Sequence, residues 1–255
     1  MKKIILITAG MVFYTGVQAQ SINSLLKKAN TYAKQHGITV PNLNNGIGGQ
    51  KPLTNPEIVK GLKEALSQGT NKSTDKISKL DGFLKDAAIK ILMPPEAKNA
   101  ETKLRQIGLG ALADKVILTI NRAAEDAAIK AKPIFINAIT GMSIQDGLSI
   151  LKGNNTAATD YLKRTTSGQL TTAFKPVIKQ SLDKVNATRY WSDFMTTYNK
   201  LPVVQKINPD LTGFVTQKAI DGIFLKISDE EKNIRQNPVA RTTDILKRVF
   251  GYVFK

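Results

Sequence analysis

Apolar residues recur at three- and four-residue spacing along most of the chain, and Pro, Gly or a capping residue interrupts each run before it grows long. That period puts the apolar side chains on one face of a helix, while the punctuation marks where each helix starts and stops. Clean two-residue alternation with hairpin turns is scarce, so a sheet has little to be built from. The expected fold is all-α, an irregular multi-helix bundle of short to medium helices with Pro/Gly punctuation.

The segments follow from these signals. Ser21 to Gln35 carries Ile22, Leu25, Leu26, Ala29, Tyr32 and Ala33 on one face and ends at His36-Gly37. Residues 36–52 are rich in Gly, Asn and Pro and read as a linker. From Leu53 onwards a single helical domain is expected, 53–255. Thr54-Asn-Pro-Glu57 is a capping box with Pro in the first turn, and its apolar face is expected to stop at Gly69. A helix is expected from Asp81 to Met93, ended by Pro94-Pro95, then one from Ala97 to Ile107. A long helix runs from Leu112 to Ala131, before Pro133. Shorter pieces span 134–139 and 144–151. Asn155 is a candidate cap for the helix holding Ala158, Tyr161 and Leu162, and Pro176 predicts a kink between Leu170 and Val185. Residues 187–198 hold the single Trp, Trp191. Asn208-Pro209, Ser228-Asp-Glu-Glu231 and Asn237-Pro238 each read as helix starts. The end of the chain, Phe250 to Phe254, is expected to pack into the core.

The N-terminus reads as an address. Lys2 and Lys3 precede an apolar run from Ile4 to Phe13, and Val17-Gln18-Ala19 offers small or aliphatic residues for cleavage. This is the layout of a signal peptide, residues 1–19, with export and a mature start at Gln20 expected. The run falls short of the roughly 20 apolar residues of a membrane span, and no later stretch reaches that length. A transmembrane span in the mature chain is therefore not expected, and the protein is placed in the periplasm or outside the cell.

The chain carries 37 Lys plus Arg against 20 Asp plus Glu, a net charge of +17. Loss of Lys2 and Lys3 with the leader lowers this by two, and the mature chain stays basic. A solvated basic surface is the first reading of such a charge, and weak adhesion to an anionic envelope surface is the alternative. Nucleic acid is disfavoured, because the cations are dispersed and no aromatic-rich RNA-binding signature accompanies them. The chain has no Cys and one His. Disulfides, thiol nucleophiles, thiolate zinc sites and paired-His sites are excluded. No metal or cofactor is implied, and His36 is read as solvent-exposed at the linker's edge.

Several stretches resemble, in order, a bacterial family of exported proteins catalogued as domain of unknown function 4197. They are EIVKGLKEAL (57–66), DGFLKDAAIKI (81–91), LRQIGLG (104–110), NRAAEDAA (121–128), PIFINAI (133–139), ILKGNNTAATDYL (150–162), AIDGIF (219–224) and EEKNIRQNPVARTTDILKRVFG (230–251). The resemblance spans about 53–251. It implies an exported helical bacterial protein and brings no activity, cofactor or catalytic residue.

Two clusters merit consideration as ligand sites. Asn121 and Glu125 share a helix face, and Arg122 stands three and four residues from Glu125 and Asp126. Ordinary helix ion pairs have this spacing, and that is the first reading, with a pocket lining as the alternative. Around Pro238, Glu230, Glu231, Arg235, Arg241 and Asp244 form a second cluster, read first as an ion-pair network joining helices and otherwise as an anion site. Asp-Gly recurs at 81–82, 146–147 and 221–222, where close helix packing is the plain explanation. The dinucleotide, Walker and nucleophile-elbow motifs are absent. The functional expectation is a non-catalytic binding or structural module with a protein or surface partner. A carrier with a pocket for a lipid or other apolar ligand comes second, and a hydrolase using paired carboxylates third.

Overall fold

The computed structural model describes residues 53–253, apart from 107, 109, 190, 193–209 and 242. The leader, the helix at 21–35, the linker, His36 and Asn208-Pro209 lie outside the described residues. Eight α-helices occur among those described: α1 (Asn55–Ile77), α2 (Lys98–Gln106), α3 (Gly110–Ala128), α4 (Ala131–Thr140), α5 (Ile144–Lys152), α6 (Ala157–Asp183), α7 (Leu211–Gln236) and α8 (Asp244–Val253). Short 3₁₀ turns at Pro95–Ala97 and Pro238–Ala240 precede α2 and α8. No strand is formed among the described residues, and the fold is all-α.

Helices α1, α3, α4, α6 and α7 carry most of the core. α6 packs against α7, α3, α4 and α5, and α1 packs against α4, α5, α7 and α8. Leu170, Phe174, Ile178 and Leu182 repeat along the inner face of α6, all fully buried. On α7, Val215, Ala219, Ile223 and Phe224 do the same. Phe224 meets Phe135 of α4 edge to face, with ring centroids 5.9 Å apart at 70°, a favoured aromatic geometry. On α3, Ala123, Ala124, Ala127 and Ala128 are buried, and such small side chains let neighbouring helices approach.

The Thr54 box forms as expected. Thr54 N–H donates to Glu57 Oε2 at 2.8 Å, and the Thr54 hydroxyl accepts from the Glu57 amide. Ser143 and Asp146 make a second box at the start of α5. Elsewhere the structure departs from the sequence reading. α1 does not stop at Gly69 but runs on to Ile77; Gly69 is buried against Glu230 and Ile234 of α7, a packing contact within the helix. Pro133 lies in the first turn of α4, where its missing N–H costs nothing, so it helps open that helix. α6 is one helix of 27 residues through Pro176, which is exposed. Ser228-Asp-Glu-Glu231 lies inside α7, because Ile227 and Ile234 on either side continue its buried face. Asn237-Pro238 opens the 3₁₀ turn, with Asn237 Oδ1 accepting from the Val239 amide, and α8 starts later.

The largest departure is residues 81–93, which form no helix. They make a strap of turns followed by a stretch without regular secondary structure. Asp81 takes φ 69°, a left-handed conformation in which a helix cannot continue. A Cβ on Gly82 would stand 2.5 Å from the Ile77 carbonyl oxygen, so only glycine fits. Phe83, Ile89 and Ile91 are buried, but Leu92 is 53% exposed.

Candidate functional site

Of the two clusters singled out in the sequence, the first assembles without Asp126 and the second divides, and both are bonded to main chain. On α3, Asn121 is fully buried. Its Oδ1 accepts from the Ile91 amide at 2.9 Å, and its Nδ2 donates to the Ile91 and Ile117 carbonyls, both at 2.7 Å. One turn on, Glu125 Oε1 accepts from the Phe83 and Leu84 amides at 3.0 and 3.2 Å. Glu125 Oε2 accepts from Arg122 Nη1 at 2.6 Å, and Arg122 Nη2 donates to Asp81 Oδ1 at 2.6 Å. Asp81 also pairs with Lys85 at 2.7 Å. Those bonds from Lys85 and Arg122 hold the Asp81 carboxyl below its ordinary range, and Asp81 and Glu125 push the Arg122 guanidinium up. Asp126 does not join this group; it accepts from the Ser181 hydroxyl at 2.7 Å.

These bonds explain the strap. Its amides at 83, 84 and 91 point to side chains of α3 and not to carbonyls four residues back. A buried main-chain donor left unpaired costs about 1–3 kcal/mol, so Asn121 and Glu125 are what allow an irregular segment to lie in the core. Lys226 of α7 ties the strap from the other side, 2.6 Å from Asp86.

The second cluster divides. Glu231 is 7% exposed; its Oε1 accepts from the Ala158 amide at 3.0 Å and its Oε2 from the Thr159 amide at 2.9 Å. A helix leaves its first amides without partners and carries partial positive charge there, so a carboxylate from α7 caps α6. The expected cap, Asn155, does not serve; Asn154 accepts from the Thr156 amide. Arg235 pairs with Glu231 at 2.8 Å and donates to the Ile150 carbonyl near the end of α5. Arg241 pairs with no acid in this cluster. It donates to the Ile234 and Arg235 carbonyls at 3.1 and 2.9 Å, closing α7, and lies 5.8 Å from the Phe250 ring centroid. Glu230 pairs with Lys72 of α1, and Asp244 with Lys247.

The Asp-Gly pairs likewise resolve into packing at two of three positions. A Cβ on Gly147 would stand 2.8 Å from Val59 of α1, and one on Gly222 would stand 2.7 Å from the Phe83 ring.

A feature the sequence reading missed lies where the strap meets α7. A groove with a volume of about 380 Å³ opens between residues 88–98 and the first half of α7. Ile89, Ile91, Met93, Phe214 and Leu225 supply its apolar lining, and Lys90, Lys98 and Lys218 bring cations to it. Gly222 shapes one wall by letting the strap lie directly on α7. The signal was hidden because the strap's apolar spacing is also that of a helix, which would have filled this space. Among the described residues no group of three acidic, His or Cys side chains is placed to hold a metal ion. No single helix among them is long and apolar enough to cross a membrane.

No curated protein and no solved structure matches the chain. A family model does, over residues 52–251, which is most of the chain and includes both buried clusters, the strap and the groove. The chain belongs to the family described as Protein of unknown function (DUF4197).

Proposed function

We propose that this chain is an exported, non-catalytic binding module of the bacterial envelope, and that the groove between the strap and α7 is its recognition surface. The groove is the observation that carries the reading. Its volume falls within the roughly 300–1,000 Å³ common for small-molecule sites, it is lined by apolar side chains, and its rim is cationic. The leader-like N-terminus and the basic charge favour an envelope location. The two carboxylates best protected from water, Glu125 and Glu231, each accept two main-chain amides and an arginine, an arrangement suited to holding the fold together. The hydrolase reading has the least support for that reason. The groove also favours the carrier reading, in which an apolar ligand occupies it.

Native mass spectrometry of the protein purified from its host's envelope tests this. The expected result is a chain beginning at Gln20 that carries a reproducible adduct, lost on denaturation and absent from a Leu225→Glu variant. A chain that keeps residues 1–19 would overturn the export reading. An adduct retained by Leu225→Glu would overturn the assignment to the groove.

A further inference from the structure

We infer that the groove takes a single-chain anionic amphiphile, with a carboxylate-type head among Lys90, Lys98 and Lys218 and an alkyl chain along the apolar lining. This rests on the groove being the recognition surface.

Charge complementarity is the first argument. Lys72, Lys85, Lys132 and Lys226 each pair with a carboxylate in the fold. Lys90, Lys98 and Lys218 form no salt bridge within 4 Å among the described residues, Asp114 acting on Lys90 only at longer range, and all three border the groove. The one acid among the groove's described lining residues, Asp221, accepts from the side-chain Nε2 of Gln217 at 2.9 Å on its own helix. Lys218 Nζ also lies 5.9 Å from the Phe214 ring centroid, so a cation and an aromatic face are offered side by side. An ammonium gains most when a ligand anion meets it beside apolar surface, where water screens less.

The lining gives the second argument. Leu92 and Leu225 are 53% and 40% exposed at the rim, while Ile89 and Ile91 form a buried floor. Apolar surface beneath a cationic rim matches a molecule with an apolar body and a charged end. A cavity of about 380 Å³ sits near the lower end of the small-molecule range, which suits one alkyl chain and not two. A peptide added alongside the strap is disfavoured by hydrogen bonding. Four consecutive strap amides are already engaged: Ala88, Ile89 and Lys90 with Asp86, and Ile91 with Asn121. Strand addition needs such groups free.

The test is calorimetry on the mature full-length protein with decanoate below its micellar concentration, beside decan-1-ol and decyltrimethylammonium as neutral and cationic probes. One decanoate per chain is expected. Removing the three cations that would meet the ligand's head, in Lys90→Gln/Lys98→Gln/Lys218→Gln, should weaken decanoate by about tenfold or more, and should leave decan-1-ol unchanged. Leu92→Ser/Leu225→Ser should weaken both. These side chains are exposed, and an unchanged melting curve confirms that each variant is folded. Equal binding of the cationic probe, or a lysine variant that binds decanoate normally, would overturn the inference. So would binding to anionic phosphatidylglycerol vesicles with none to monomeric decanoate, which would point to a membrane surface. If decanoate fails while the native adduct is still lost in Leu225→Glu, the groove stands and the ligand class falls. If that adduct also survives Leu225→Glu, both readings fall.

Discussion

Glu231 reaches from the penultimate turn of α7 to the first turn of α6, where its Oε2 accepts from both the amide and the hydroxyl of Thr159, at 2.9 and 2.8 Å. Its other oxygen serves Ala158 and Arg235. Glu231→Leu removes the cap and leaves the Arg235 guanidinium buried without its counter-charge. A loss of roughly 3–5 kcal/mol is expected from breaking such a pair, read by chemical denaturation. Adding Arg235→Met removes the stranded charge, so the double variant should recover part of that loss but not all, since two α6 amides stay unpaired.

Asn121 makes the same kind of connection to the strap. Asn121→Ala leaves the Ile91 amide and carbonyl without partners, and a destabilisation of about 2–3 kcal/mol is expected. Hydrogen exchange should locate the damage, with protection falling at 83–91 before it falls in α6. Asn121→Asp should be at least as harmful, because a carboxylate would face the Ile91 and Ile117 carbonyls that now accept from Nδ2.

Acid should loosen the strap in a defined pH window. Bonds from Lys85 and Arg122 hold Asp81 below its ordinary 3.8. Burial raises Asp86, but Lys226 and the Ala88 amide outweigh it and the net shift is also downward. With folded values depressed, the stabilisation is complete above the ordinary carboxylate value and is lost as pH falls through the folded ones. Exchange at residues 78–93, corrected for intrinsic rates, should rise as pH drops below 3.8. Asp81→Asn/Asp86→Asn should be looser near neutrality and show little further change in acid.

Two glycines should respond in opposite directions. Gly168 lies within α6, and nothing stands within 4 Å of a Cβ placed there. Gly168→Ala should therefore stabilise by up to about 1 kcal/mol through helix propensity. Gly222→Ala places a methyl 2.7 Å from the Phe83 ring and 3.3 Å from Ile89 Cβ, and overpacking of this kind costs typically about 1–3 kcal/mol. Thermal melting of the two variants settles both.

The class of fold was legible because local signals suffice for it. Thr54 caps α1 through Glu57, and the i, i+4 repeat from Leu170 to Phe174 to Ile178 to Leu182 becomes the buried face of α6. The failures at residues 81–93 and 228–231 share one cause, which is that distant side chains override local preference. The window 81–93 has helical spacing, but its amides are taken by Asn121 and Glu125, about 30 and 42 residues away. Ser228-Asp-Glu-Glu231 has the letters of a capping box, yet Glu231 caps α6 in place of its own helix. Arg122 and Glu125 were readable as an ion pair from their spacing. That Glu125 would also hold Phe83 and Leu84 was not, since nothing near residue 83 announces it. The groove was out of reach for the same reason, because it exists only where the strap fails to be a helix.

The position of Glu231 also bears on the order in which the chain becomes native. A first helical turn is the costly step in forming any helix, and the cap that completes the first turn of α6 is supplied by a residue 72 positions later. Until α7 has docked, the start of α6 lacks this cap and is expected to fray. The strap is in the same position with respect to α3. Substitutions at Glu231 or Asn121 should then appear mainly in the unfolding rate and hardly in the folding rate, the signature of contacts made after the transition state. The chain would cross its barrier as a loose set of helices and lock only when the side chains of Glu231 and Asn121 reach their main-chain partners.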